Sequence, residues 1–246
     1  MAPEWLTARP IAHRGLHDEA RGVVENTLSA AEAAVAGNYA METDVQLSAD
    51  GEVMVFHDDT LERLTEGAGP VDALPRAALQ RLAFKGTSDR MPTLGELCAL
   101  VAGRVPLVVE LKSRFDGDTH IAQRAVAVLA SYAGPAALMS FDPDLVAAVR
   151  RLDPGRPRGI IAERRYAEGW DFLPPARRRA LALFLHAPIS RPQFVAYNVQ
   201  EFPSLPAWTA RTLFGLPLLT WTVRTDADRQ RARRYADQMI FEGFRA

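Results

Sequence analysis

PIAHRGLHDEARGVVENTLSAAEAAVAGNYAMETDVQ, residues Pro10 to Gln46, reads as strand, helix, strand. Pro10–Ala12 is a short apolar run that breaks into a polar stretch at His13-Arg14-Gly15. Thr27–Ala36 is rich in alanine at helical spacing, with Asn26 placed as an N-cap and Gly37 as its stop. Tyr39–Gln46 then returns to strand-forming residues. Two strands joined by one helix make the crossover unit of a parallel sheet.

The same alternation continues outward to the end of the chain. Further candidate strands are Val53–Phe56, Leu107–Leu111, Ala136–Ser140, Arg158–Ala162, either Phe184–Ala187 or Phe194–Asn198, Leu216–Val223 and Gln238–Phe241. Candidate helices are Leu94–Val101, Ile121–Ser131, Asp144–Leu152, Pro174–Leu181 and Ala227–Tyr235. The strand count exceeds eight, so one or two runs are hairpin arms or not strands. At 246 residues with 48% hydrophobic content, the chain has the length at which α/β barrels form one domain.

One interval breaks the rhythm. Only Leu47 to Glu52 separate the second strand from Val53, too few residues for a helical crossover. Asp50-Gly51 is a hairpin signal, and a turn centred there sets His57 opposite Thr43 to within about a residue. The stretch from Asp59 to Met91, with Gly67, Gly69, Pro70, Pro75 and Gly86, reads as a small insertion capping one end of the core.

Composition limits the function. Lys+Arg 29 against Asp+Glu 30 gives a net charge of −1, so no global field attracts nucleic acid or an anionic membrane. The single cysteine, Cys98, excludes an internal disulfide and reads as a packing residue. The first residues carry no secretory pattern and no segment approaches a membrane span, so a soluble cytoplasmic protein without stable membrane association is expected. Lys85 and Lys112 are the two lysines, and Lys112 stands beside a carboxylate at a strand end. Runs such as Arg177-Arg178-Arg179 read as solvated helix faces.

Four short charged groups each follow an apolar run: His13-Arg14, Glu42-Thr43-Asp44, His57-Asp58 and Glu110-Leu111-Lys112. Residues two apart on a strand share a face, so Glu42 looks the same way as Asp44, and Glu110 the same way as Lys112. Two carboxylates facing a barrel interior repel and are costly to desolvate unless a cation or strong hydrogen bonds compensate them. Three carboxylates suit one hard divalent cation, Mg²⁺ or Ca²⁺, with Mn²⁺ also admitted. Arg14 and Lys112 suit phosphate oxygens, and the imidazoles of His13 and His57 suit proton transfer. The blander alternatives are salt bridges to arginines for Glu42 and Asp44, and a Glu110–Lys112 pair that satisfies only itself. Asp58 either orients His57 or caps the turn that follows.

These groups, in this order and spacing, resemble the glycerophosphodiester phosphodiesterase family, which is related more distantly to phosphatidylinositol-specific phospholipases C. The likeness runs from Ile11 to Phe241 and includes Glu25-Asn26-Thr27, Asp44-Val45-Gln46-Leu47 with Asp50-Gly51, Thr60-Leu61, Pro92-Thr93-Leu94, Ser140-Phe141 and Trp221-Thr222-Val223. It implies a single-domain (β/α)₈ TIM barrel with residues 59–91 as a short cap. It implies that Glu42, Asp44 and Glu110 ligate the metal, that His13 and His57 are acid and base, and that Arg14 and Lys112 bind phosphate. The substrate would be a small glycerophosphodiester, cleaved to sn-glycerol 3-phosphate and an alcohol, with Phe141 and Trp221 against the glycerol carbons. The chain departs from the family pattern at Val24, where proline is usual, at Arg224, where asparagine is common, and at its end, Ile240 to Phe244. The rival readings are a lysophospholipase D acting on lysolipids, a non-catalytic glycerophosphodiester binder, and a metal-dependent barrel aldolase or lyase.

Overall fold

A computed structural model describes residues 2–167 and 169–246. Eight strands lie parallel around a closed ring: β1 (Ile11–Ala12), β2 (Ala40–Leu47), β4 (Leu107–Leu111), β5 (Ala136–Ser140), β6 (Arg158–Ala162), β7 (Phe194–Asn198), β8 (Leu218–Val223) and β9 (Gln238–Phe241). The ring closes because β1 pairs with both β2 and β9. Helices run between the strands, which makes the chain a TIM barrel.

The ninth strand is the hairpin arm. β3 (Val53–Val55) pairs antiparallel with β2 in the register Val45↔Val55, Gln46↔Met54, Leu47↔Val53. Phe56 N–H donates to the Asp44 carbonyl at 3.0 Å, which continues that register toward Thr43 and His57. β1 covers only Ala40 and Met41 on its side of β2, and β3 takes the later part of β2 at Val45–Leu47. A two-residue first strand therefore leaves the edge that the hairpin fills.

Of the two candidates for the seventh strand, Phe194–Asn198 is the one that forms. Phe184 instead has φ +54°, and Ala187 opens a short helix, Ala187–Ser190. The first helix runs Leu28–Ala36 and its N-cap is Thr27, whose side chain accepts from Ala30 N–H. Asn26 is not the cap: it has φ +56° and spends its amide on β2. Gly37 does end the helix, though the left-handed residue is its neighbour Asn38. The helix Leu205–Thr212 was not expected from the sequence.

Alternation along each strand sorts residues into two packings. Outward residues such as Ala12, Met41, Val45, Leu107, Val109 and Leu111 pack with the helices in the largest apolar cluster. Inward residues fill the barrel: Ile11, Ala40, Val108, Met139, Ile161 and Ala196 form a second cluster. Continuing two residues at a time toward the C-terminal ends, the same inward faces give His13 just past β1, Glu42 and Asp44 on β2, Glu110 on β4 and Lys112 just past it. The interior thus passes from apolar at its centre to charged at one mouth.

Gly159 of β6 is required by that filling. A Cβ there would stand 2.2 Å from the Phe194 ring. Cys98 is buried, and burial pushes its thiol up to about 11.

The segment 59–91 has its own small apolar core. Leu61, Leu64, Val71, Leu79, Phe84 and Met91 pack on Met54 and Phe56 at the end of the hairpin. It is thereby seated on the element that carries His57.

Candidate active site

The seven charged residues singled out in the sequence converge at the C-terminal mouth. Glu42, Asp44 and Glu110 each offer a carboxylate oxygen, and these atoms all lie within 4.8 Å of one another. Glu42 and Asp44 are almost wholly buried. Lys112 bridges two of the three, its Nζ 2.7 Å from Asp44 Oδ1 and 2.8 Å from Glu110 Oε1. Arg14 lies 3.4 Å from Asp44 through Nε, and its Nη1 donates to Glu25 at 2.7 Å.

Glu42 is left over. Its Oε2 accepts the backbone N–H of Arg14 at 3.0 Å, and its Oε1 has no hydrogen-bond partner among the described residues. Arginine salt bridges therefore do not account for it. Burial pushes its carboxyl well above the usual range, and the Asp44 and Glu110 carboxylates add to the rise. Burial also dominates at Glu110 and raises it despite Lys112. Asp44 behaves oppositely: burial opposes its charge, but Lys112, His57 and Arg14 hold it well below the usual range.

The local backbone explains how Arg14 and Glu42 meet. Arg14 has φ +54° and Gly15 φ +80°, a turn that aims the Arg14 amide at Glu42 and brings Gly15 N–H within 3.2 Å of the Glu42 carbonyl. A Cβ at Gly15 would lie 2.8 Å from Ala30 Cβ, so the first helix and this turn pack too closely for any side chain.

The two imidazoles flank the carboxylates. His13 Nε2 is 3.9 Å from Glu42 Oε2, while its Nδ1 is hydrogen-bonded to Glu242. Arg224 Nε donates to the other oxygen of Glu242 at 2.6 Å. His57 Nδ1 is 2.7 Å from Asp58 Oδ1, and Arg63 donates to Asp58 and to Glu25. Asp58 thus touches His57 directly. Burial pushes both imidazoles down, with Glu242 opposing at His13 and Asp44 opposing at His57. Each ring keeps one nitrogen fixed by a carboxylate, which orients the other.

A cleft of about 280 Å³ opens over this group, and Phe141 and Trp221 line it. Trp221 Nε1 donates to the Ala196 carbonyl at 3.0 Å, fixing its ring across the mouth. Two residues were given no role in the sequence. Glu242 lies 229 positions from its partner His13, with no local pattern to announce it. Glu25 ties Arg14 to Arg63, and its place in Glu25-Asn26-Thr27 was the available signal.

A sequence profile described as the glycerophosphoryl diester phosphodiesterase family matches residues 13–241. The chain belongs to that family. Among its relatives is a glycerophosphodiester phosphodiesterase of Caldanaerobacter subterraneus, 28% identical over 231 residues, an alignment covering 90% of this chain and 88% of the relative. Two solved structures share the family barrel. An Oleispira antarctica phosphodiesterase in complex with the product sn-glycerol-3-phosphate superposes with TM-score 0.77 at 23% identity, covering 94% of this chain and 91% of that chain. A glycerophosphodiester phosphodiesterase of Thermotoga maritima superposes with TM-score 0.71 at 22% identity, covering 94% and 92%. At those identities the likeness speaks for the fold. Among the described residues, no helix of this family member is long and apolar enough to cross a membrane.

Proposed function

We propose that this protein hydrolyses small glycerophosphodiesters to sn-glycerol 3-phosphate and an alcohol, with one divalent cation and two histidines. Family membership makes it a glycerophosphodiester phosphodiesterase; the reading adds which residues do what. The observation that carries it is the Glu42 carboxylate, buried beside two others with one oxygen that has no hydrogen-bond partner among the described residues. Lys112 answers Asp44 and Glu110 and does not reach the third carboxylate, whose Oε1 has no hydrogen-bond partner among the described residues. A donor set made of carboxylates alone fits Mg²⁺ or Ca²⁺ better than zinc, with Mn²⁺ also fitting.

Glu42, Asp44 and Glu110 would hold the cation, which when bound supplies charge to phosphate oxygens as they turn more negative. Arg14, tied to Glu25 and Asp44, presents a guanidinium with defined direction to the non-bridging oxygens. Lys112 adds a compact ammonium from the residue that follows β4. His13 and His57 approach from different elements, the end of β1 and the end of the hairpin, so one takes a proton from the nucleophile and the other gives one to the leaving alcohol. Glu242 and Asp58 hold the far nitrogen of each ring. An acid–base pair of this kind contributes on the order of 10²–10⁴ in rate per group.

The test is ³¹P NMR of glycerophosphocholine incubated with wild type, His13→Ala and His57→Ala in Mg²⁺. Disappearance of the diester signal in wild type, slowed by at least about 10²-fold in each variant, is expected. Equal rates in all three would remove the histidines from the chemistry.

A further inference from the structure

The phosphate site is the meeting point of two clefts. The first, of about 280 Å³, carries the hydrogen-bonding groups of Asn198, Gln200, Thr222 and Arg224 beside the rings of Phe141 and Trp221. A second, of about 440 Å³, is lined by His57, Asp58 and Asp59 and by the rings of Phe115, Phe141, Trp170 and Phe172. His57, Glu110, Lys112 and Phe141 belong to both. A diester whose phosphorus sits at Glu110 and Lys112 has room for one arm in the cleft that carries the hydrogen-bonding groups and for the other in the cleft walled by Phe115, Phe141, Trp170 and Phe172.

The aromatic wall is a single contiguous unit. Trp170 is its hub, with ring centroids 5.1 Å from Phe141, 5.6 Å from Phe115 and 5.8 Å from Phe172. Phe172 is the exposed member of this unit, with 59% of its surface open to solvent. Arg177 stands over Phe115 at 5.3 Å, so this ring already has a cation on one face.

The same cleft is also lined by charged groups, Asp58, Asp59, Glu110 and Lys112. Asp59 is exposed and its carboxylate has no ion pair or side-chain hydrogen bond among the described residues. Asp58 is engaged by His57 and Arg63, and Lys112 by two carboxylates. Among the described residues the cleft thus offers aromatic faces and the uncommitted carboxylate of Asp59. That combination suits a cationic group with a greasy, poorly hydrated surface, held by ring quadrupoles and the carboxylate together. A polyol with two hydroxyls finds its partners in the other cleft.

We propose that the aromatic cleft is the subsite for the leaving alcohol and selects alcohols bearing a quaternary ammonium, with glycerol directed to the polar cleft. The proposal rests on the phosphodiesterase reading above. Its test compares kcat/KM for glycerophosphocholine and glycerophosphoglycerol, which share the phosphodiester and differ in the charge of one arm. Wild type favours glycerophosphocholine, and the ratio falls about tenfold in Trp170→Ala, the loss expected for a cation–aromatic contact. Because Trp170 is a packing hub, the exposed Phe172→Ala and the surface change Asp59→Asn are run beside it and lower the same ratio by about threefold.

A second readout is independent of turnover: saturation-transfer NMR of choline methyl protons with the whole protein, which weakens in Phe172→Ala and Asp59→Asn. If neither diester is cleaved, the phosphodiesterase reading fails and choline binding alone decides the subsite. No wild-type preference for glycerophosphocholine, equal losses on both diesters in the variants, or no choline signal overturns the proposal. Faster cleavage of lysophosphatidylglycerol than of either soluble diester also overturns it and gives the wall to an acyl chain.

Discussion

Replacing Glu42 by glutamine separates a structural carboxylate from a cation ligand. One oxygen from each of three carboxylates lies within 4.8 Å of the others, and Lys112 stands between two of them. Like charges at that separation repel by about 3 kcal/mol at an effective dielectric of 20. Burial and this repulsion already raise the Glu42 carboxyl, so the amide resembles the protonated acid. Its carbonyl can still accept the Arg14 amide. Glu42→Gln is therefore expected to match or exceed wild-type stability in EDTA. With a cation at 100 times its Kd, wild type gains about 2.7 kcal/mol, a Tm rise of about 5–10 °C for a chain of this size. Losing one of three ligands weakens binding by about 10²-fold, which leaves about 0.4 kcal/mol and a shift of 1–2 °C at the same concentration. Thermal unfolding of both proteins in EDTA and in Mg²⁺ or Ca²⁺ gives all four values. A variant less stable in EDTA that still gains the full cation shift would refute the reasoning, because Glu42 would then be structural and the cation elsewhere.

Other expectations follow from particular contacts. Glu242→Gln frees the imidazole of His13 from a carboxylate that supports its proton. The kcat should fall by up to about 10²-fold, and the pH-profile limb belonging to His13 should move to lower pH; an unmoved limb would detach Glu242 from His13. Gly15→Ala places a methyl group 2.8 Å from Ala30 at φ +80°, so urea unfolding should show a loss of about 2–4 kcal/mol together with lower activity. His186 is lowered by burial from 6.5 to about 4, and its Nε2 has no hydrogen-bond partner among the described residues. The unfolded chain therefore takes up this proton first as pH falls. Stability present above pH 6.5 is lost by up to about 3 kcal/mol on the way to pH 4. His186→Asn should flatten that slope in urea midpoints measured across the window, and an unchanged slope would assign it to other groups.

Much of this was legible in the sequence because it is local. Asp50-Gly51 sets the hairpin register over ten residues, and alternation alone puts Glu42 with Asp44 and Glu110 with Lys112. The resemblance supplied the closed barrel. What was not legible depends on distance or on competing uses of one residue. Phe184–Ala187 and Phe194–Asn198 are both short apolar runs with an aromatic, and only packing against β6 and β8 selects the second. Asn26 has the chemistry of a cap, but its amide bonds Thr43 and Asp44 instead. The helix at Leu205–Thr212 was hidden by Leu205 and Trp208, which are 74% and 53% exposed and blur its apolar face. Glu242 reaches His13 only through ring closure.

The most direct test of the account is glycerol 3-phosphate release from glycerophosphocholine by metal-stripped wild-type protein, titrated with Mg²⁺ or Ca²⁺. The account predicts negligible release without cation and saturable restoration as one equivalent binds. Undiminished release from protein shown to be free of metal would contradict it, since Glu42, Asp44 and Glu110 would then have some purpose other than holding the ion.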